Sequence, residues 1–264
     1  LSLGDTLAVS VVTDSPIVNY KLVFLGRKFT LFLEDQDSDG YRYTAFLGAS
    51  RYAKSGEKLL ILSLNTQDNT KFYEHYAVTL DHPKQPMGHV SLTKKSKKIA
   101  KDIHARREEI KLLARAFAIK TEERYFDGPF QLPITASVSS TFGKMRRYNN
   151  GGFSSHAGVD FSDKIGTAIL APQNGKVIVS DELLIHGNTV LIDHGQGVLS
   201  VYCHLQQRTV KQGDMVTTGA IIGRLGGTGI VSGPHLHWGL SVQNVRVDPL
   251  FWVDVKSNYY SFLL

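Results

Sequence analysis

Only one stretch of this chain spaces its apolar residues like a helix. Ile99, Ile103, Ile110, Leu113 and Phe117 recur at intervals of four, seven, three and four, with Lys and Arg between them. Nearly everything else is short apolar runs rich in β-branched and aromatic residues, such as 20–33 and 59–64. They are cut by turn signals: Asp14-Ser15-Pro16, 35–40 and 65–69. After residue 126 the runs become shorter and glycine-dense. Strands are expected at 188–194 and 198–205, joined through Gly195-Gln196-Gly197, around Gly213-Asp214 and Gly219, and at 236–242. A chain patterned this way is mainly β. The expected layout is a small N-terminal β-sandwich (1–90), a connecting amphipathic helix in a basic connector (91–125) reaching about Ile119, and a C-terminal antiparallel β domain (126–264). Lysines crowd the first turn of that helix, which opposes its dipole, so its start is not fixed by periodicity alone.

The 264 residues leave room for two modest domains. No apolar run approaches the roughly 20 residues that span a bilayer, so no transmembrane segment is expected. The chain begins with Leu1, as a fragment or processed form would. Cys203 is the only cysteine, which excludes an intramolecular disulfide and a thiolate-rich structural zinc site. The net charge of +6 belongs to one segment: residues 94–124 hold 11 Lys or Arg against 5 Asp or Glu. A basic face favours polyanions, but the plain reading is a solvated helix surface. No aromatic residues interleave with it, so a nucleic-acid partner is not expected. The acidic stretch 35–40 lacks the later bidentate Glu of a calcium loop and lies between strands, which makes it a hairpin turn.

Four histidines and one aspartate stand out among the ten histidines: His156-x-x-x-Asp160, His204, and His235-x-His237. His235 and His237 are two apart in a strand and share a face. His156 and Asp160 would be about 13 Å apart in a straight strand, so sharing an ion requires a bend, which Gly158 permits. Three N or O ligands with an open position suit a catalytic zinc. One ion needs three of the five side chains, leaving two imidazoles beside it for proton transfer and charge stabilisation. His204 is expected on the strand face of Tyr202, with Cys203 turned the other way. His186 and His194 lie near turns and read as structural. Nothing ties His75, His82, His89 or His104 to the site.

These residues resemble the lysostaphin-type (LytM-like) zinc metallopeptidases of bacterial cell walls. The resemblance extends through Phe142-Gly143, Arg146-Arg147-Tyr148-Asn149, Ala171-Pro172, Gly187-Asn188-Thr189-Val190, Tyr202 to Leu205, Gly213-Asp214, Gly233-Pro234-His235-Leu236-His237-Trp238 and Arg246-Val247-Asp248-Pro249, covering about 135–252. The first 90 residues are similar to the immunoglobulin-like domain that precedes some members. The resemblance implies one Zn2+ per chain held by His156, Asp160 and His237, with His204 and His235 flanking the open position. It implies an endopeptidase, with carboxypeptidase activity as a variant, that cleaves peptidoglycan stems or cross-links through a zinc-activated water. An exported protein of the periplasm or envelope follows, with a regulatory partner left open. The alternative is a wall-binding or regulatory module that keeps the metal site without cutting. A biotinyl- or lipoyl-like carrier, suggested by the turns around Gly213 and Gly219, would not use the histidines. Asn150, in the Gly-rich stretch 148–152, and Tyr202 are the expected substrate contacts. No chemistry-bearing cluster precedes residue 140, so a chain beginning near Glu122 is expected to keep zinc and some activity.

Overall fold

The computed structural model describes residues 1–38, 40–81, 87–91, 96, 102–148, 152–254 and 259–263. The first seven strands are β1 (Thr6–Thr13), β2 (Ile17–Phe24), β3 (Arg27–Phe29), β4 (Phe32–Asp37), β5 (Gly40–Gly48), β6 (Gly56–Thr66) and β7 (Lys71–Leu80). They alternate as half-buried strands should: along β6, Leu60, Leu62 and Leu64 turn inward while their neighbours are more exposed. Two sheets result, β1-β5-β4 and β3-β2-β6-β7, which enclose a core of Leu7, Val9, Val11, Leu22, Phe24 and the β6 leucines. This is the expected sandwich. Asp37 pairs with Gly40, so the acidic stretch is the tip of the β4–β5 hairpin.

The next strand, β8 (Met87–Val90), leaves the sandwich and pairs in parallel with a strand of the second half. Helix α1 (Ile103–Phe117) follows. Its start is set by Asp102, whose carboxylate accepts the Ala105 N–H at 3.0 Å and so satisfies a free amide of the first turn. The expected apolar face holds at Leu113 and Phe117 and fails at Ile103 and Ile110. Ile103 and Ile110 are 62% and 57% exposed, and the buried face is Glu109, Leu113, Ala116 and Phe117. Ile99 lies outside the described residues.

The second half continues with β9 (Ser137–Ser140), β10 (Met145–Tyr148), β11 (Phe153–Ser155), β12 (Val159–Ser162), β13 (Ala168–Leu170), β14 (Gly175–Leu183), β15 (Gly187–Asp193), β16 (Val198–Leu205), β17 (Gln207–Arg208), β18 (Met215–Val216), β19 (Ile221–Arg224), β20 (Leu236–Val242), β21 (Val245–Val247) and β22 (Tyr259–Leu263). An antiparallel sheet runs β18-β14-β15-β16-β20-β12-β9, with β21 added to β20. One face carries a core that includes Phe161, Tyr202 and Trp238. The other face, over β14, β15 and β16, is covered by α1: Leu113, Ala116 and Phe117 pack on Leu191, Leu199, Val201 and Cys203. Full burial of each Leu or Phe there contributes about 1.5–3 kcal/mol.

The two halves are joined by more than the connector. Strand β22 returns to the sandwich and pairs in parallel with β1. Gln243 bridges to Thr30, its Oε1 accepting the Thr30 N–H at 2.8 Å and its Nε2 donating to the Thr30 carbonyl at 2.9 Å. The Trp252 indole donates to Thr6 Oγ1 at 3.0 Å, and the Phe46 ring sits 5.3 Å from Trp252 and 5.6 Å from Phe126. Aromatic packing of this kind, with each polar group paired, favours one fixed arrangement over a hinge.

Candidate metal centre

Strand register brings the first donors together. In the antiparallel ladder Asp160 on β12 lies directly opposite His237 on β20, and His237 lies opposite Cys203 on β16. Paired residues share a sheet face, so Asp160 and His237 project from the face that also carries Cys203. His156 arrives from outside the sheet. The chain bends between β11 and β12, and the backbone of Gly158 runs tight against β20. A Cβ there would collide with the Trp238 carbonyl and approach His237 Cε1 at 2.9 Å.

Three donor atoms converge. His156 Nε2 and His237 Nδ1 each lie 2.9 Å from Asp160 Oδ1, and 3.0 Å from each other. Ligands about 2.0–2.1 Å from a tetrahedral zinc stand roughly 3.3–3.4 Å apart, so this triangle needs only slight expansion. The outer contacts orient the donors. His156 Nδ1–H donates to the Thr141 carbonyl at 2.9 Å, which leaves its Nε2 lone pair inward. Arg146 donates to Asp160 Oδ2 and, at 3.0 Å, to Ser140 Oγ, which leaves Oδ1 facing the imidazoles. Burial works against a charged Asp160, but the adjoining His156 and His237 imidazoles outweigh it and hold the carboxyl far below its ordinary range. Burial pushes the His237 imidazole down to about 4, so it is neutral and able to donate a lone pair near pH 7.

Two further imidazoles flank the triangle. His235 Nε2 is 3.9 Å from Asp160 Oδ1, and the His204 ring lies 4.9 Å from that of His235. Each donates Nδ1–H to a backbone carbonyl, His235 to Gly233 at 2.8 Å and His204 to Thr228 at 2.9 Å. In the neutral rings Nε2 is therefore the basic atom. Burial, and then the neighbouring His235 and His237, push His204 well below the ordinary histidine value. All five side chains line one cleft of about 580 Å³.

Residues 154–249 match peptidase family M23. The C-terminal half contains a peptidase M23 domain. The M23 domain is 41% identical over 113 residues to the peptidoglycan DD-endopeptidase ShyC of Vibrio cholerae, covering 42% of this chain and 26% of that protein. It is 35% identical over 95 residues to the DD-carboxypeptidase/endopeptidase Mpg of Neisseria meningitidis, covering 36% of this chain and 22% of that protein. The match thus spans about a quarter of these curated relatives. A solved structure from Pseudomonas aeruginosa, assigned to peptidase M23, superposes with a TM-score of 0.69 at 27% identity. It covers 96% of this chain and 94% of that one, so the likeness extends over both halves.

The M23 domain departs from the expected site at several positions. Tyr202 is not on the cleft. It is fully buried in the core on the opposite sheet face, its hydroxyl paired with Ser200 Oγ at 2.8 Å, and it cannot touch a bound peptide. His204 does not share that face. Its backbone is left-handed (φ 62°), which breaks the strand alternation and turns the ring onto the face of the metal donors. Asn150 lies outside the described residues. Two histidines set aside on sequence line the cleft: His89, carried there by β8 alongside β10, and His186, at the β14–β15 turn. Arg146 is named by the resemblance but not as a partner of Asp160. Only an arginine ten residues before the donor His156 hints at that role.

Proposed function

We propose that this protein is a zinc-dependent peptidoglycan endopeptidase that cleaves a D-amino-acid cross-link in the wall, outside the cytoplasmic membrane. The observation that carries this reading is the convergence of His156, Asp160 and His237 beside His204 and His235 in one open cleft. The donor set fits zinc: two imidazoles and a carboxylate, oriented by their outer contacts, with room on the cleft side. A zinc ion held there supplies Lewis acidity, polarising a peptide carbonyl and making water a competent nucleophile near neutral pH. The chain's own residues supply the rest. Arg146 and Thr141 keep Asp160 and His156 aimed. His235, with its basic Nε2 nearest the donors, takes a proton from the attacking water. His204, neutral at rest, gains at Nε2 the proton that the water gives up, and then steadies the tetrahedral oxyanion or passes that proton to the leaving amine. The curated relatives named as DD-endopeptidases support the substrate class. Among the described residues no helix is long and apolar enough to cross a membrane.

Digestion of defined cross-linked muropeptides by the zinc-loaded protein, with products weighed by mass spectrometry, tests the reading. Conversion of cross-linked dimers to monomers is expected. Intact dimers, or ready cleavage of casein in their place, would overturn it and favour a module that binds the wall without cutting.

A further inference from the structure

Helix α1 lies outside the segment that matches the M23 family, yet its one buried charged residue is bonded toward the cleft. Glu109 Oε2 accepts the Ile185 N–H at 2.7 Å. Its Oε1 accepts the His186 N–H at 3.2 Å and the His186 Nδ1–H. Three donors of the β14–β15 turn thus converge on one carboxylate. Burial raises the cost of its charge, but the bonds from His186 and Ile185 outweigh that and hold Glu109 below the ordinary glutamate range. A solvated helix face has no use for such an arrangement.

The next bond leads to the site. The His186 carbonyl accepts the backbone N–H of His204 at 2.8 Å. His204 is the residue whose left-handed backbone brings its ring onto the metal face. A non-glycine side chain keeps that conformation only where its surroundings impose it. From the ring side, Nδ1–H is held by the Thr228 carbonyl, and Thr228 is tied to the same turn, its Oγ1 accepting the Asn188 N–H at 2.8 Å.

We propose that Glu109 is a positioning residue: through the turn at Ile185 and His186 it fixes the backbone of His204 and so the aim of its ring. The connector helix is then a working part of the site. This rests on the reading of His204 as a working group in peptide cleavage. The test uses the full chain as wild type, E109A, E109Q, H204A and the E109A/H204A double variant. It measures kcat and KM on cross-linked muropeptides, zinc content, and amide hydrogen exchange of the segments holding 184–187 and 204.

E109A is expected to lower kcat roughly 10-fold or more, since misplacing a reacting group by about an ångström costs that much, with KM and zinc content near wild type. E109Q, which keeps one acceptor oxygen, should recover part of the rate, and it carries the comparison if E109A does not fold. Exchange should quicken in both segments. In the H204A background, loss of Glu109 should cost nothing more. If E109A slows H204A by the same factor as wild type, or leaves exchange at 204 unchanged, the proposal is overturned. If the wild type leaves muropeptides intact, the substrate reading falls, and the exchange measurement by itself upholds or overturns the role of Glu109.

Discussion

His194 should make the C-terminal domain labile to mild acid. Its ring is 0% exposed, with Nδ1–H donating to the Asn174 carbonyl at 2.7 Å and Nε2 accepting from Ser200 Oγ at 2.7 Å. The edge of the Phe130 ring, with centroids 4.8 Å apart, closes it off from water. Protonation would place a charge in this dry pocket and turn the acceptor Nε2 into a donor. Burial pushes the pKa down to about 4 from the ordinary histidine value of 6.5. Because the folded pKa is the lower one, the unfolded chain binds more protons between pH 6.5 and 4. The stabilisation is therefore complete above pH 6.5 and is lost as pH falls toward 4. At about 1.36 kcal/mol per pH unit, the 2.5-unit gap is worth about 3 kcal/mol. His237 loses stability in the same window, so the two must be separated. Urea unfolding of metal-free wild type and His194→Gln, followed by tryptophan fluorescence, does this, since Trp238 and Trp252 both report the C-terminal half. The variant should be the less stable at pH 7.5, and the gap should narrow by about 3 kcal/mol at pH 4. A gap that stays constant or widens on acidification would refute the reasoning.

Asp160→Ala and His237→Ala should each bind less than about a tenth of the normal zinc by metal analysis, because each removes a donor of the 2.9–3.0 Å triangle. His204→Ala and His235→Ala should keep zinc and cleave at least about 100-fold more slowly. A fall in zinc affinity with the rate per bound zinc preserved would make them orienting groups instead. Gly158→Ala should weaken zinc binding by about 10-fold or more in a titration, since its Cβ forces β12 away from β20. A chain beginning near Glu122, expected from sequence to keep zinc and some activity, should instead aggregate or melt early in a thermal scan. It uncovers Leu191, Leu199, Val201 and Cys203, each of the large ones worth about 1.5–3 kcal/mol when buried.

Local pattern carried the fold class and picked out the five side chains that line one cleft, because period-two alternation and donor spacing are properties of short segments. The bend at Gly158 was legible for the same reason: His156 and Asp160 are too far apart in a straight strand to meet, and one small residue lies between them. What failed was every inference that extended a local rule past an exception. Alternation put His204 on the face of Tyr202, and a single left-handed residue put it on the other. Periodicity put Ile103, Ile110, Leu113 and Phe117 on one buried face of α1; Leu113 and Phe117 do pack on the sheet, but Ile103 and Ile110 are exposed and Ala116 and Glu109 are buried in their place.

Long-range pairing was the larger gap. His89 reads as an ordinary residue at the end of the N-terminal domain until β8 is seen beside β10 on the cleft wall, and no spacing within 87–90 signals that partner. Glu109 is the sharper case. A glutamate beside Glu108 on a basic helix looks like part of a solvated surface, and helical charge pattern rewards that reading: Glu108 does pair with Lys111 in the open. Only the position of the β14–β15 turn against α1 separates the two glutamates, one in water and one under three N–H donors. The same packing that buries Leu113 and Phe117 fixes where Glu109 must sit. The burial of the helix and the backbone of His204 therefore rest on one set of contacts, so under the proposed roles a boundary drawn after the helix would sever chemistry as well as core.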